Sequence, residues 1–535
     1  MPDLTSAGEP RGTGPGVAHT NGVTDRFPAP PPPQPVAWAL LLIPALAQLV
    51  LHIVTAGRSG IFRDEYYYLA CAARPAWGYV DQPPLSIWVL SVWKAVFGDS
   101  VHSIRVLPAL CGSALVVMTG ALAAQLGGAR WAQFFAGLAA AIGAAALVIG
   151  GFYSMNAFDM LVWTGAYYLV VRIARTGNKN TWLWLGLLLG LGLFNKIGLF
   201  VFGFALVIGL LVTRHRRHFL DRRLWLAGVI AGALLLPYII WNATHDWATL
   251  EFMENARRYK ISDLSALDFL SESILEANPL TLPLWLGGLA WLVFARRARH
   301  YQIVAVMIVV TFVTLVLQKG KPYYFVASFP VLMAAGGAAW EQWTSGRRVR
   351  WARWAMAAVL VCGGVVLAPI GVLFLSPERT VAYAQRLGIT PKAQEVGHTA
   401  PLPQYFADRF GWEELAQTVS RVYESLPLEE KRACVVIADN YGKGGALEYW
   451  SRRYALPPVY CRHNHYWLWG PPPDVGGATI VVGFGREDIE ESFAEVIEAA
   501  VSETPYAQEP HISVWVCRGL RLPMAEVWAQ SKLFI

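Results

Sequence analysis

The residues best suited to chemistry in this chain are an acidic pair, Asp64 and Glu65, in the run Arg63-Asp64-Glu65-Tyr66-Tyr67-Tyr68 just beyond an apolar stretch. The anchor behind the pair holds it near lipid headgroups, where it can meet a lipid-borne substrate. An acceptor hydroxyl is a poor nucleophile until a carboxylate takes its proton, and the same negative charge stabilises an oxocarbenium-like transition state. A phosphate leaving group needs no general acid, so one base and a cationic cradle suffice for inverting transfer. A second reading stays open: acids in a helix first turn cap backbone N–H groups and complement the helix dipole.

Two more carboxylates and a set of cations extend the pattern. Asp81 lies in Trp77-Gly78-Tyr79-Val80-Asp81-Gln82-Pro83-Pro84, where the proline pair fixes a turn, and it also reads as an ordinary turn aspartate. Asp159 falls at the outer end of an apolar stretch, where a charge beside hydrocarbon is costly without a role or a partner. Arg105, Lys196, Lys319 and Lys321 stand at outer ends of such stretches and either bind a phosphate or snorkel to headgroups. Arg257, Arg258 and Lys260 read as solvated or facing anionic lipid. Carboxylates together with His102 or His245 could host a divalent cation, Mg or Mn, since hard oxygen ligands suit both; no metal-type spacing supports one, and the metal stays open.

The elements that must position these residues are apolar. Hydrophobic residues make up 55% of the 535 and charged residues 15%, with a mean hydropathy of +0.38, which excludes an ordinary soluble enzyme. The net charge of +7 is carried largely by arginines clustered between apolar runs, as orientation signals are, and this argues against a nucleic-acid partner. Eleven apolar stretches follow one another: 36–56, 106–126, 131–150, 157–173, 182–194, 197–212, 224–241, 280–294, 303–317, 323–340 and 354–375. Several fall short of the roughly 20 residues that cross a bilayer upright. Residues 182–194 and 197–212 are either one long helix interrupted at Asn195 and Lys196 or two short spans. Two spans place the clusters Arg214–Arg223, Arg296–Arg299 and Arg347–Arg353 in the cytoplasm, as the positive-inside rule asks, whereas one span places them outside. The sequence therefore predicts a polytopic helical protein of about eleven spans, N-terminus in and C-terminus out.

Residues 1–35, rich in Pro, Gly and Thr, read as a disordered cytoplasmic tail without the marks of a signal peptide, so the following stretch stays as an anchor. A transmembrane module, 36–376, then carries two long outer loops, 57–105 and 242–279, and an extracytoplasmic domain runs from 377 to 535. Within the first loop, Leu85, Ile87, Trp88, Leu90, Trp93 and Phe97 predict a helix lying in the membrane interface. The tail domain alternates: 434–438 strand, 444–454 helix, 479–483 strand, 486–500 helix and 511–517 strand, a small α/β unit. Its Cys434, Cys461 and Cys517 either form a disulfide or remain buried thiols.

At these motifs the sequence resembles glycosyltransferase family 39 of the GT-C superfamily, the protein O-mannosyltransferase and lipid A aminoarabinose transferase type. The resemblance spans 36–375 and is carried by Arg63–Tyr68, by Trp77–Leu85, by Met155-Asn156-Ala157-Phe158-Asp159 and by Gly320-Lys321-Pro322-Tyr323-Tyr324. It implies a polyprenyl-phosphate sugar donor, an envelope acceptor (lipid, glycan or protein), and Asp64 as base, with Glu65 and Asp159 shaping the same cavity. It further implies Lys321 and Tyr324 at the donor phosphate; Arg105 and Lys196 are assigned there only by their charge at the outer ends of apolar stretches. Gln82 stands where many relatives carry His or Lys. The competing function is a transporter or flippase of lipid-linked sugars, against which stand the lack of a repeat between halves and the clustering of polar residues at outer ends.

Overall fold

Each of the eleven apolar stretches is helical in the computed structural model, which describes residues 30–260, 264–389, 400–474 and 477–535. The cytoplasmic tail assigned to residues 1–35 lies almost wholly outside the described residues. Among the described residues six helices are long and apolar enough to cross a membrane: Trp38–Thr55, Val101–Gln125, Met155–Thr176, Arg222–Ala243, Arg296–Leu317 and Arg347–Gly371. The number rises to eight if each of two bent pairs is one span, Ile197–Val212 with Arg214–Leu220 (107°) and Ala266–Glu276 with Pro279–Phe294 (90°). What separates eight from the expected eleven is three shorter helices, Arg130–Ala141, Thr181–Leu193 and Phe329–Trp343, of 12, 13 and 15 residues. At 1.5 Å of rise per residue such helices reach only about 18 to 23 Å.

The last of them is the centre of the bundle. Every residue from Phe329 to Ala339 is buried, and the helix packs against Leu282–Phe294 and Arg130–Ala141. A Cβ on Gly336 would lie 2.0 Å from the Leu284 carbonyl oxygen and one on Gly288 2.2 Å from that of Leu332, so the two backbones touch, as small residues permit between helices in lipid. The interruption at Asn195 and Lys196 is a true break: Thr181–Leu193 ends, Lys196 is extended, and a new helix begins at Ile197. That break frees Lys196 to turn inward.

In the first loop, a helix Arg63–Ala73 (the loop helix) is followed by Leu85–Phe97, which buries Ser86, Ile87 and Leu90 while Val92, Val96 and Phe97 remain exposed. The tail builds a five-stranded sheet from β1 (Val435–Ala438), β2 (Val459–Cys461), β3 (Thr479–Val482), β4 (Phe493–Glu503) and β5 (His511–Leu520), in the order β2-β1-β3-β5-β4. β1 is parallel to β2 and β3, and β5 is antiparallel to β3 and β4. A helix Tyr441–Trp450 (the tail helix) joins β1 to β2. The expected helix 486–500 is corrected: only Arg486–Glu490 is helical, and Phe493 onward is a strand. Its Glu- and Ala-rich composition favours a helix, but pairing with β5 decides, and Glu495 stands opposite Arg518 with an ion pair at 3.4 Å. Cys434, Cys461 and Cys517 are free and buried. Burial pushes the Cys434 thiol up to about 11 and that of Cys517 up to about 12.

Candidate active site

The two members of the acidic pair separate in space. Phe62 is extended, and the loop helix begins after it because the Glu65 carboxylate accepts the Phe62 N–H at 2.8 Å, so the residue that closes the helix end is Glu65. Glu65 is fully buried. Arg105 grips it with two bonds, Nε to Oε1 at 3.0 Å and Nη2 to Oε2 at 2.7 Å, and the Tyr153 N–H donates to Oε1 at 2.8 Å. Arg105 also donates to the carbonyls of Ala56 (2.6 Å) and Gly60 (2.8 Å). This pair ties the loop helix to Val101–Gln125 and to the turn before Met155. An Arg105 aimed at a donor phosphate does not fit the geometry, because its guanidinium is spent inside the protein on Glu65 and two carbonyls.

Asp64, one residue earlier, points elsewhere. Its Oδ1 accepts the Tyr441 hydroxyl at 2.9 Å, and Arg63 lies 3.8 Å away. It lines a cavity of about 250 Å³ between the loop helix, Ala144–Ile149, Ala266–Glu276, the Lys321–Tyr323 segment and the tail. Lys321, Tyr323 and Asn156 share that wall with it, and so do Glu272, Glu276, Gln404 and Asp408.

Behind the wall, the break at Lys196 has its consequence. The Lys196 ammonium donates to Asn156 Oδ1 at 2.8 Å, pairs with Asp159 at 3.3 Å and sits 4.4 Å over the Tyr324 ring and 5.5 Å over that of Tyr323. Asp159, Lys196 and Tyr324 thus hold the cavity residues Asn156 and Tyr323 from behind. Asp81 is elsewhere: it accepts the Tyr67 hydroxyl at 2.8 Å, and it is not among the residues lining the Asp64 cavity. The adjoining Gln82 is buried. His102 packs beside Gly57, and His245 stacks on Trp241 at 4.4 Å; among the described residues no three His, Cys, Asp or Glu side chains gather as a metal set.

Sequence reasoning missed Tyr441, Asp408 and the pair Glu272 and Glu276. The last two left a signal, acids four apart in the second outer loop, which share one face of a helix. Tyr441 left none, because its importance comes from a partner 377 positions away.

Residues 81–241 match the family described as dolichyl-phosphate-mannose-protein mannosyltransferase, a stretch that holds Asp81, Arg105, Asp159 and Lys196 but neither Asp64 nor Lys321. No curated protein matches the chain significantly. Among solved structures, the chain is similar to ArnT from Cupriavidus metallidurans in the apo state, with a TM-score of 0.58 and 16% identity over 90% of this chain and 97% of that one. It is equally similar to the same ArnT bound to undecaprenyl phosphate, with a TM-score of 0.58 and 17% identity over 90% and 98% of the two chains. The fold is that of these ArnT structures, and the resemblance read from the motifs is borne out at the level of the fold.

Proposed function

We propose, for a chain with the GT-C fold of the ArnT type, that the protein is an inverting glycosyltransferase taking a sugar from a polyprenyl phosphate and passing it to an envelope acceptor at the outer face of the cytoplasmic membrane. The observation that carries this reading is that Asp64, Asn156, Lys321 and Tyr323 line one cavity, which brings a carboxylate and an ammonium to the same space. The binding of undecaprenyl phosphate by the Cupriavidus ArnT supports the donor class. In the step proposed, the acceptor hydroxyl gives its proton to the Asp64 carboxylate and its oxygen bonds to the anomeric carbon. The bond from that carbon to the phosphate oxygen breaks, and its electron pair leaves with the polyprenyl phosphate. Lys321 stabilises the charge that develops on the phosphate by a charge-assisted hydrogen bond. The test is transfer from a panel of polyprenyl-phosphate sugars by the purified protein, joined to mass spectrometry of envelope lipids and glycans with and without the gene. A protein that leaves every donor intact and an envelope unchanged by its loss would overturn the reading.

Lys321 carries a prediction of its own. Lys321→Ala should raise the Michaelis constant for the donor by about tenfold, the worth of a charge-assisted bond near 1.5 kcal/mol, with a much smaller change for the acceptor. A donor constant and rate equal to wild type would remove Lys321 from the site.

The orientation proposed, with the arginine-rich turn inside and the tail outside, follows from the charge distribution. Leu220 is 91% exposed in that turn and Leu428 68% exposed in the tail, whereas His218 is buried and would hide a probe. In intact cells an impermeant thiol reagent should label Leu428→Cys and spare Leu220→Cys. The reverse pattern inverts the topology.

A further inference from the structure

The soluble unit reaches the candidate base itself. The chain leaves β1 through the tail helix to β2 on one side and later returns to β3 on the other, so the carboxyl ends of β1 and β3 form a topological switch point, the edge where open α/β sheets bind ligands. What stands at the start of the tail helix is the loop helix of the same chain. A Cβ on Gly442 would lie 2.4 Å from Arg63 Cγ, and one on Gly445 would lie 3.0 Å from the backbone of Tyr66. The glycines of this run let two helices close to a distance that side chains would forbid. Between them stands Tyr441, whose ring is held 4.8 Å from Tyr67 on one side and 4.8 Å from His463 on the other, and whose hydroxyl donates to Asp64 Oδ1.

We propose that Tyr441 is a positioning residue for Asp64, so that the tail unit completes the active site of the membrane module. The proposal rests on the reading of Asp64 as the base. A carboxylate in the first turn of a helix rotates about two side-chain bonds. A hydrogen bond on Oδ1 from a phenol clamped between two rings fixes its plane and leaves Oδ2 to take the acceptor's proton. Misplacement of a reacting group by even about 1 Å costs rate without loss of binding.

The experiment uses the full-length protein and a donor that the wild type accepts. Tyr441→Phe keeps the ring and its contacts, so the thermal midpoint and the donor Michaelis constant should stay at wild-type values while kcat falls about tenfold, the loss of one hydrogen bond to a charged group. Introduced into Asp64→Asn, the same change should lower the residual rate no further, since no base is left to aim. A purely structural role would lower both backgrounds alike. An active wild type whose Tyr441→Phe variant keeps full kcat, or loses the same factor in both backgrounds, overturns the positioning role and leaves the base reading intact. A wild type inactive with every donor fails the base reading instead.

Discussion

Asp64→Asn should fold, bind donor and turn over at no more than about a hundredth of the wild-type rate, since general-base catalysis contributes about 10²- to 10⁴-fold. The substitution keeps the shape of the side chain and an oxygen for the Tyr441 hydroxyl, and removes the charge that the proposed base needs to take the proton. The competing view, a helix cap, makes a different forecast for the same variant: full activity and unchanged stability, because Asn caps as well as Asp. The geometry speaks against the cap, because the Phe62 N–H at the start of the loop helix donates to the Glu65 carboxylate and not to Asp64. Asp64 is instead a third exposed, lies on the cavity wall and faces the same space as Lys321. The measurement is single-turnover transfer with saturating donor, alongside a thermal melt. Wild-type turnover in Asp64→Asn would sink the assignment, and the base would then be sought among Glu272, Glu276 and Asp408, the other carboxylates of that wall.

What the sequence made legible was the part of the site that depends on residue type beside an apolar run. Asp159, Lys196 and Lys321 carry a charge at the outer end of an apolar stretch, and Asp64 follows shortly after one, which makes them candidates by type and position. Three of these sites depend on pairings between distant segments, and there the sequence carried position without partner. Nothing local says that Lys196 turns to Asp159 and Asn156, that Glu65 belongs to Arg105, or that Tyr441 belongs to Asp64. The misread strand β4 has the same cause, because composition speaks for isolated helix propensity while β5 supplies the partner that decides. Short apolar stretches such as Thr181–Leu193 and Phe329–Trp343 show a different limit, because hydropathy cannot tell burial at the bundle centre, as for Phe329–Ala339, from burial in lipid.

The Glu65 and Arg105 pair should show its effect in stability more than in chemistry. Their side chains are 0% and 2% exposed, and removal of one partner from such a pair leaves an uncompensated charge out of reach of water, at a cost of about 3–5 kcal/mol. Glu65→Gln isolates this cost, because a glutamine at the same position still accepts the Phe62 N–H and the loop helix keeps its start. Arg105 would keep the carbonyls of Ala56 and Gly60 and the Ser59 hydroxyl as acceptors, but no opposite charge from this pair. Arg105→Gln should lose a similar amount from the other side, with Glu65 left among neutral donors. Both variants should therefore unfold at clearly lower temperature and give less folded protein in detergent, and the rate per folded molecule should fall far less than in Asp64→Asn. The donor Michaelis constant should hold for Arg105→Gln, since its guanidinium is occupied inside the protein and does not line the cavity. A Glu65→Gln protein that melts with wild-type but has lost its turnover would move Glu65 into the chemistry, and an Arg105→Gln protein of normal stability with a weakened donor constant would return Arg105 to the phosphate.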